Sequence, residues 1–434
     1  MMARRIPASG INLFQLIYIL IREYTEKTGQ LPLNLSLGNP DGVPCSKILE
    51  LEAKTVADPS YELHTYAEDT NLRSFAGNMV ALHSGVNVND FSHLKAIPIQ
   101  GIKGASTIIP LACGLHLPDR NNRNNFVLVS NLPAYDVVGT WSESYLAGKR
   151  VVWPLASEDN MRLNISRLTA ALSEAGVERP DVIFVIRPGN PAAVGANADE
   201  WRSLIEFCIK RGTRLVNDGA YAGLVSNNSG GKQLHVPLAE VAKDYPELEW
   251  AELFSVSKSF NDPGARLGAM IGSREFIEDF ILIKGNTDSG PVPSLMAAYG
   301  EFLGNHSVAS STLKDLSDLY AKRLNYIIPK FRQIGLRPAC ETEAGFFTLW
   351  KVPQRVLGRD LRTDPSTRDL PLHEAFNRVV ISETGIVGVH FQGPIINGKR
   401  DSLIRYAVCA DVLSPSFQDR FESELARLQP EYDD

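Results

Sequence analysis

Between Phe126 and Ile271 the chain repeats one theme: a short apolar run rich in β-branched residues, a polar turn, then a helix-like stretch. The runs are Phe126–Ser130, Arg150–Trp153, Val182–Ile186, Arg214–Asp218, Glu252–Val256 and Leu267–Ile271. A strand that is apolar throughout must be covered on both faces, and strands joined through helices run parallel. The pattern therefore predicts an α/β fold with a mostly parallel sheet flanked by helices. The stretch Glu200–Arg211 places apolar residues at 201, 204, 205 and 208, the spacing of one helix face. After Ile271 the character changes to a long helix from about Ser311 to Arg332, strand-like stretches at Gly345–Val352 and Ser402–Val408, and a closing helix from Phe417 to Leu428. This predicts a smaller α+β unit, with the aperiodic polar stretch Pro353–Leu370 as a surface loop.

Composition narrows the function classes. The 434 residues hold 44 Lys plus Arg against 50 Asp plus Glu, a net charge of −6, and no dense basic run. A nucleic-acid partner is disfavoured, because phosphate-backbone binding needs a basic face. Five scattered cysteines (Cys45, Cys113, Cys208, Cys340, Cys409) form no C-x-x-C and no cluster at metal-ligand spacing. Reduced thiols in a cytoplasm are the simpler reading, with no metal site. The apolar run Ile11–Ile21 follows Arg4 and Arg5 but is too short to span a bilayer, and Asn12 and Gln15 interrupt it. It reads as an amphipathic helix that docks on the protein or on a second subunit, not as a membrane or targeting segment.

Open α/β sheets bind ligands at the carboxyl ends of their strands, so the residues just past each run are the candidates for chemistry. Past Val182–Ile186 come Asn190 and Pro191. The run Arg214–Asp218 ends on a carboxylate, with Tyr221 three residues on. Past Glu252–Val256 come Ser257, Lys258 and, eight residues later, Arg266. An amide, a carboxylate with a phenol, and a lysine with an arginine suit a flat, anionic, nitrogen-containing cofactor. A buried lysine beside another cation loses its proton readily and can form a Schiff base. An aspartate at a strand end can pair with a protonated pyridine nitrogen. Arg266 offers a planar fork to a phosphate, and Ser255 and Ser257 add hydroxyls. Upstream, Gly101–Thr107 is a glycine turn opening a helix, a place where free backbone N–H groups bind phosphate. Tyr135, beyond the first run, can stack on a ring. Singly, each of these features is an ordinary turn, cap or core-edge residue; their conjunction on consecutive strand ends is what points to a site.

Over nearly its whole length the chain resembles the class I/II aminotransferases of fold type I, which depend on pyridoxal 5′-phosphate. The lysine signature is similar to Ser255-Val-Ser257-Lys258-Ser-Phe-Asn-Asp-Pro-Gly264-Ala-Arg266-Leu-Gly268, with Asn190-Pro191 and Asp218…Tyr221 at the expected distances before it. The resemblance implies a seven-stranded, mostly parallel sheet. Its domains would be an N-terminal arm with part of the small domain over 1–59, a large cofactor-binding domain over 60–310 and a small domain over 311–434. It implies that Lys258 is the Schiff-base lysine and proton shuttle, and that Asp218 pairs with the pyridine nitrogen. Asn190 and Tyr221 would bond the ring 3-oxygen and Tyr135 would stack on the ring. Gly104, Ala105, Ser106, Ser255, Ser257 and Arg266 would hold the phosphate end. Tyr66 would reach the phosphate of the neighbouring subunit in a homodimer, and Arg405 would clamp the substrate α-carboxylate, with Gly38 lining the substrate side.

The chain departs from the family at three places: Thr70 stands where a glycine is usual, the Asn-Pro-x-Gly turn is stretched to Asn190–Gly195, and Gly345-Phe346 is not a standard match. All three concern substrate-facing loops. The expected activity is transfer of an amino group between an amino acid and a 2-oxo acid. The alternatives on the same fold are a C–S lyase acting by β-elimination and a cyclic-amino-acid synthase. A dicarboxylic substrate would want a second arginine opposite Arg405, for which Arg73 and Arg187 are the candidates.

Overall fold

The structure, a computed structural model, describes residues 13–40, 42–68, 70–117, 126–225, 234–396 and 398–433. Arg4, Arg5 and the first two residues of the Ile11–Ile21 run lie outside them. The centre is a seven-stranded sheet in the order Leu94–Ile99, Gly268–Ser273, Trp250–Ser255, Arg214–Asp218, Val182–Ile186, Val127–Leu132, Lys149–Pro154. Only Gly268–Ser273 runs against its neighbours. The six runs read from sequence are all in this sheet. The seventh strand, Leu94–Ile99, carries Lys95 and Pro98 and so lacks an apolar signature. It lies at the edge, where a proline costs no ladder bond.

Successive side chains along the strands point to opposite faces, and Val182–Ile186, Trp250–Ser255 and Gly268–Ser273 are buried at every position, as a sheet covered on both faces requires. Ile183 and Val185 face one apolar cluster with Trp153, Trp201, Leu204 and Trp250. Val182, Phe184 and Ile186 face the other with Ile109, Phe276 and Phe280. Helix Ala198–Arg211 delivers Trp201, Leu204, Ile205 and Cys208 to the first cluster, and a capping box between Asn197 and Glu200 starts it.

A second, three-stranded antiparallel sheet orders Val389–Ile396, Lys399–Ala407 and Phe347–Lys351. The 28-residue helix His306–Gln333 links the two cores, with Ala309 in the large-sheet cluster and Tyr320, Leu324, Ile327 and Phe331 in the small one. Chain segments from both ends join the small sheet's surroundings: Leu33–Asn34 pairs in parallel with Ile386–Val387. Helix Leu13–Thr28 packs Ile17, Leu20 and Tyr24 against Ile381, Val387 and Val389. Of the two docking surfaces expected for the N-terminal helix, it takes one on its own chain.

One expectation is corrected. Pro353–Leu370 is not a plain loop: Arg355–Val356 pairs antiparallel with Arg359–Asp360, and Val356 and Leu361 are fully buried. A two-residue hairpin is too short to show a period, which is why the stretch reads as irregular. Helix Leu372–Thr384 and strand Val389–Ile396 carry no signal as clear as the large-sheet runs.

Candidate active site

Strand order reverses around Val127–Leu132, whose neighbours are Lys149–Pro154 on one side and Val182–Ile186 on the other. The crevice at such a switch point, beyond the carboxyl ends of the strands, is where this architecture binds ligands. Here the chain leaves one strand towards Tyr135 and the other towards Asn190, and the Tyr135 N–H donates to the Asn190 carbonyl at 2.7 Å. A cavity of about 370 Å³ opens there, walled by Lys103, Ser106, Tyr135, Asn190, Asp218, Tyr221, Ser255, Ser257, Lys258 and Arg266.

Asp218 ends its strand at the cavity floor, its Oδ1 accepting the Ala220 N–H at 3.0 Å. Burial pushes its carboxyl up to about 6, against that one backbone donor. Lys258 sits in a one-turn helix, Val256–Ser259, started by Ser255, whose Oγ accepts the Ser257 N–H at 3.1 Å. The Lys258 Nζ donates to the Gly38 carbonyl at 2.6 Å. Burial, opposed by Cys409 and reinforced by the Arg405 and Arg266 cations, brings the amine down to about 8. Behind the turn, the His83 ring stacks on Phe254 with centroids 5.2 Å apart. Its Nδ1 lies 3.0 Å from the Met79 carbonyl, which can only accept, so Nε2 is the acceptor for the Ser259 hydroxyl at 2.8 Å. Burial lowers the His83 pKa to about 4, so this ring is neutral.

At the other end of the cavity, Gly101 (φ +75°) turns the chain into helix Ile102–Ala112. A Cβ built on Gly101 would lie 2.5 Å from Arg266 Nη2, so glycine lets the guanidinium lie over the helix start. Arg266 itself holds φ +50° and donates to the Pro263 carbonyl at 3.0 Å. The helix begins earlier than the sequence indicates. The Ala105 N–H is consequently bonded back to the Gly101 carbonyl at 3.3 Å, and neither Gly104 nor Ala105 is on the cavity wall, whereas Lys103 and Ser106 are. The N–H groups a helix leaves free belong to its first residues.

Arg405 comes from the small sheet and is 2% exposed. Its Nη1 donates to Asn190 Oδ1 at 2.8 Å and its Nη2 to the Ser36 carbonyl at 2.7 Å, while Nε has no partner among the described residues. The Phe347 ring lies 4.2 Å from the guanidinium carbon. Burial lowers the pKa to about 10, which leaves the group charged at neutral pH. Among the described residues no carboxylate forms an ion pair with it.

Besides Gly104 and Ala105, three expected members are not on the cavity wall: Gly38 and Arg405 reach it only through Lys258 and Asn190, and Tyr66 stands apart. Tyr66 is 78% exposed. Thr70 is likewise at the surface. Neither candidate second arginine faces the cavity: Arg187 is buried and donates to the Val194 and Met161 carbonyls, and Arg73 pairs with Glu301 at 2.6 Å. Lys103, His83 and Cys409 escape a sequence reading. Nothing in the sequence brings residue 83 beside residue 259 or residue 409 beside residue 258.

A family model described as aminotransferase class I and II matches residues 32–412. An LL-diaminopimelate aminotransferase of Syntrophobacter fumaroxidans is 25% identical over 415 residues, covering 94% of this chain and 95% of the relative. Another, from Nitratidesulfovibrio vulgaris, is 26% identical over 325 residues, covering 74% and 77%. The aspartate aminotransferase from Rhizobium meliloti superposes with a TM-score of 0.76 at 18% identity, covering 99% of each chain. The matched span contains the whole large sheet, Lys258, Asp218 and Arg405, and the chain belongs to the class I and II aminotransferases, enzymes of pyridoxal 5′-phosphate-dependent amino-group transfer.

Proposed function

We propose that in this aminotransferase Arg405 grips the α-carboxylate of the amino acid while Lys258 removes and returns the proton at Cα. The observation that carries the reading is the buried, charged Arg405 guanidinium whose described partners are all neutral. Burying a cation without a counter-charge costs several kcal/mol, roughly the scale that a visiting carboxylate recovers. Phe347 and the neutral Asn190 amide keep the fork aimed while leaving its charge uncompensated.

The donor set fits the cofactor. A carboxyl raised by burial regains its charge beside a protonated pyridine nitrogen, the role of Asp218. Asn190 and Tyr221 hold the ring 3-oxygen, and Tyr135 covers the ring. The close approach of Arg266 to Gly101, with Ser106, Ser255 and Ser257, forms a cradle for a phosphate. Bound there, pyridoxal 5′-phosphate supplies an electron sink for the charge left at Cα. Lys258, with a pKa of about 8, exchanges its proton near neutral pH, the condition for a general acid and base.

The substrate reading is finer. With Arg73 and Arg187 committed elsewhere, Lys103 is the wall cation left to meet a second, distal acidic group. Its Nζ is 3.4 Å from the Tyr135 hydroxyl. The relatives named for LL-diaminopimelate carry the same implication, since that molecule has a head group at each end. We therefore place the donor among amino acids with a second carboxylate. We also take the enzyme to be a cytoplasmic homodimer in which Tyr66 serves the neighbouring site. Its exposure and the exposed apolar Val43, Leu49, Val56 and Tyr61 nearby in the chain support this. Among the described residues no helix is long and apolar enough to cross a membrane.

The test is to mix the loaded protein with single amino acids, without a keto acid, and follow the cofactor absorbance. Conversion by dicarboxylic donors, abolished in Lys258→Ala and weakened about tenfold or more in donor affinity by Arg405→Lys, is the expected result. Release of pyruvate and ammonia without an acceptor would overturn transamination in favour of elimination. A preference for monocarboxylic donors that Lys103→Met leaves unchanged would overturn the second-carboxylate reading.

A further inference from the structure

Asn190 and Arg405 touch at 2.8 Å, yet one follows a strand of the large sheet and the other lies in the small sheet, so something must hold the two sheets in register at this point. The loop carrying Asn190 is the stretched Asn190–Gly195. Gly189 N–H donates to the Val194 carbonyl at 3.1 Å and Ala193 N–H to the Gly189 carbonyl at 3.0 Å, so the loop closes on itself and Asn190 moves with its far end. That far end is clamped by the segment preceding strand Phe347–Lys351. The Glu343 and Ala344 N–H groups both donate to the Ala193 carbonyl, at 2.9 and 3.1 Å. One Glu343 carboxylate oxygen accepts the Gly195 N–H at 3.0 Å, and the other pairs with Arg162, which also reaches Glu200 at 3.3 Å. Strand Phe347–Lys351 in turn pairs with the strand of Arg405, Leu349 opposite Arg405. Glu343 is 5% exposed, and a carboxylate kept there against its desolvation cost calls for a role. The two stretches that depart from the family pattern, Asn190–Gly195 and Gly345-Phe346, thus lie on the two sides of one joint.

We propose that Glu343 is a positioning residue for the substrate α-carboxylate: it locks the Asn190 loop to the small sheet and so sets the aim of the Asn190–Arg405 pair. The proposal rests on the reading of Arg405 as the carboxylate clamp. Losing the lock loosens binding of the donor; because Asn190 also faces the cofactor, the cofactor is kept saturating so that the donor KM reads the clamp, while Lys258 keeps its own contacts on a separate strand end.

The experiment compares steady-state kinetics of the loaded Glu343→Ala, Glu343→Gln and Arg405→Lys enzymes with the same amino donor. Glu343→Ala is expected to raise the donor KM about tenfold with kcat within about twofold, the signature of lost binding that is equal in ground and transition states. Glu343→Gln retains an acceptor for the Gly195 N–H and is expected to recover most of the affinity. If Glu343→Ala does not fold, Glu343→Asp, which withdraws the carboxylate by one methylene, is expected to raise KM about threefold. An unchanged KM in the Glu343 variants beside a raised KM in Arg405→Lys overturns the proposal. So does a loss confined to kcat, or one that glutamine does not rescue. An unchanged KM in Arg405→Lys means the clamp reading itself has failed, and the proposal with it.

Discussion

The buried Lys258, the proposed proton-transfer residue, comes at a cost to folding. Burial brings its pKa from 10.5 to about 8, so between those values the unfolded chain binds the extra proton and stability rises with pH; below about 8 the folded protein bears the full cost of the buried charge. Lys258→Met should therefore raise the Tm of the cofactor-free protein at pH 7, by roughly 2–4 °C, and the gain should vanish towards pH 10.5. A Tm gain independent of pH would contradict the buried cation. The same pKa sets reactivity: the rate at which cofactor-free protein captures pyridoxal phosphate should climb about tenfold per pH unit and level off near pH 8. A plateau only above pH 10 would mean an ordinary, solvated lysine. Gly101 makes a complementary case. A methyl there meets the mobile tip of Arg266, so the tip moves aside and the loss falls mainly on binding. Gly101→Ala should weaken cofactor affinity about tenfold, and the positive φ should cost roughly 1–3 kcal/mol of stability. Cofactor titration beside thermal melting separates the two.

At the scale of elements, six of the seven large-sheet strands were legible because their runs are largely apolar on both sides, and helix Ala198–Arg211 because its face repeats at 3.6 residues. The same helix provides a quantitative check. The Asn197 side chain accepts the Glu200 N–H at 2.9 Å, and the Glu200 side chain reaches back to the Asn197 N–H at 2.8 Å. Asn197→Ala should cost about 1 kcal/mol in a denaturant melt. Trp201→Ala, which empties a fully buried site, should cost roughly 3–5 kcal/mol. Equal costs for the two would show that the indole is not part of the core. Elements that mix signals were not legible. Leu94–Ile99 is an edge strand with a lysine and a proline, and the hairpin at Arg355–Asp360 is shorter than any period. Helix Ile102–Ala112 contains Pro110, and its start at Ile102 shifts the free N–H groups towards Lys103 and away from Ala105.

For the whole molecule, the exposed Tyr66 and the apolar side chains near it predict that sedimentation finds a dimer and that Tyr66→Phe weakens cofactor binding about tenfold. A fully active monomer would end that reading. The sequence by itself determined the layered α/β architecture, the family, and the residues at strand ends, because strand periodicity and short motifs are local properties. Lys258, Asp218, Tyr221 and Asn190 belong to that group: each is delivered by the strand just before it. Only the tertiary structure decided what comes from a second strand or a second sheet. His83 behind Ser259, Gly38 on Lys258, Asn190 against Arg405 and Glu343 across Gly195 are contacts between residues 148 to 220 positions apart. Such pairs leave no periodic trace in the chain, since they form only when packing of the two cores brings their elements together. The commitment of Arg73 and Arg187 to other partners, which leaves Lys103 on the cavity wall, is of the same kind.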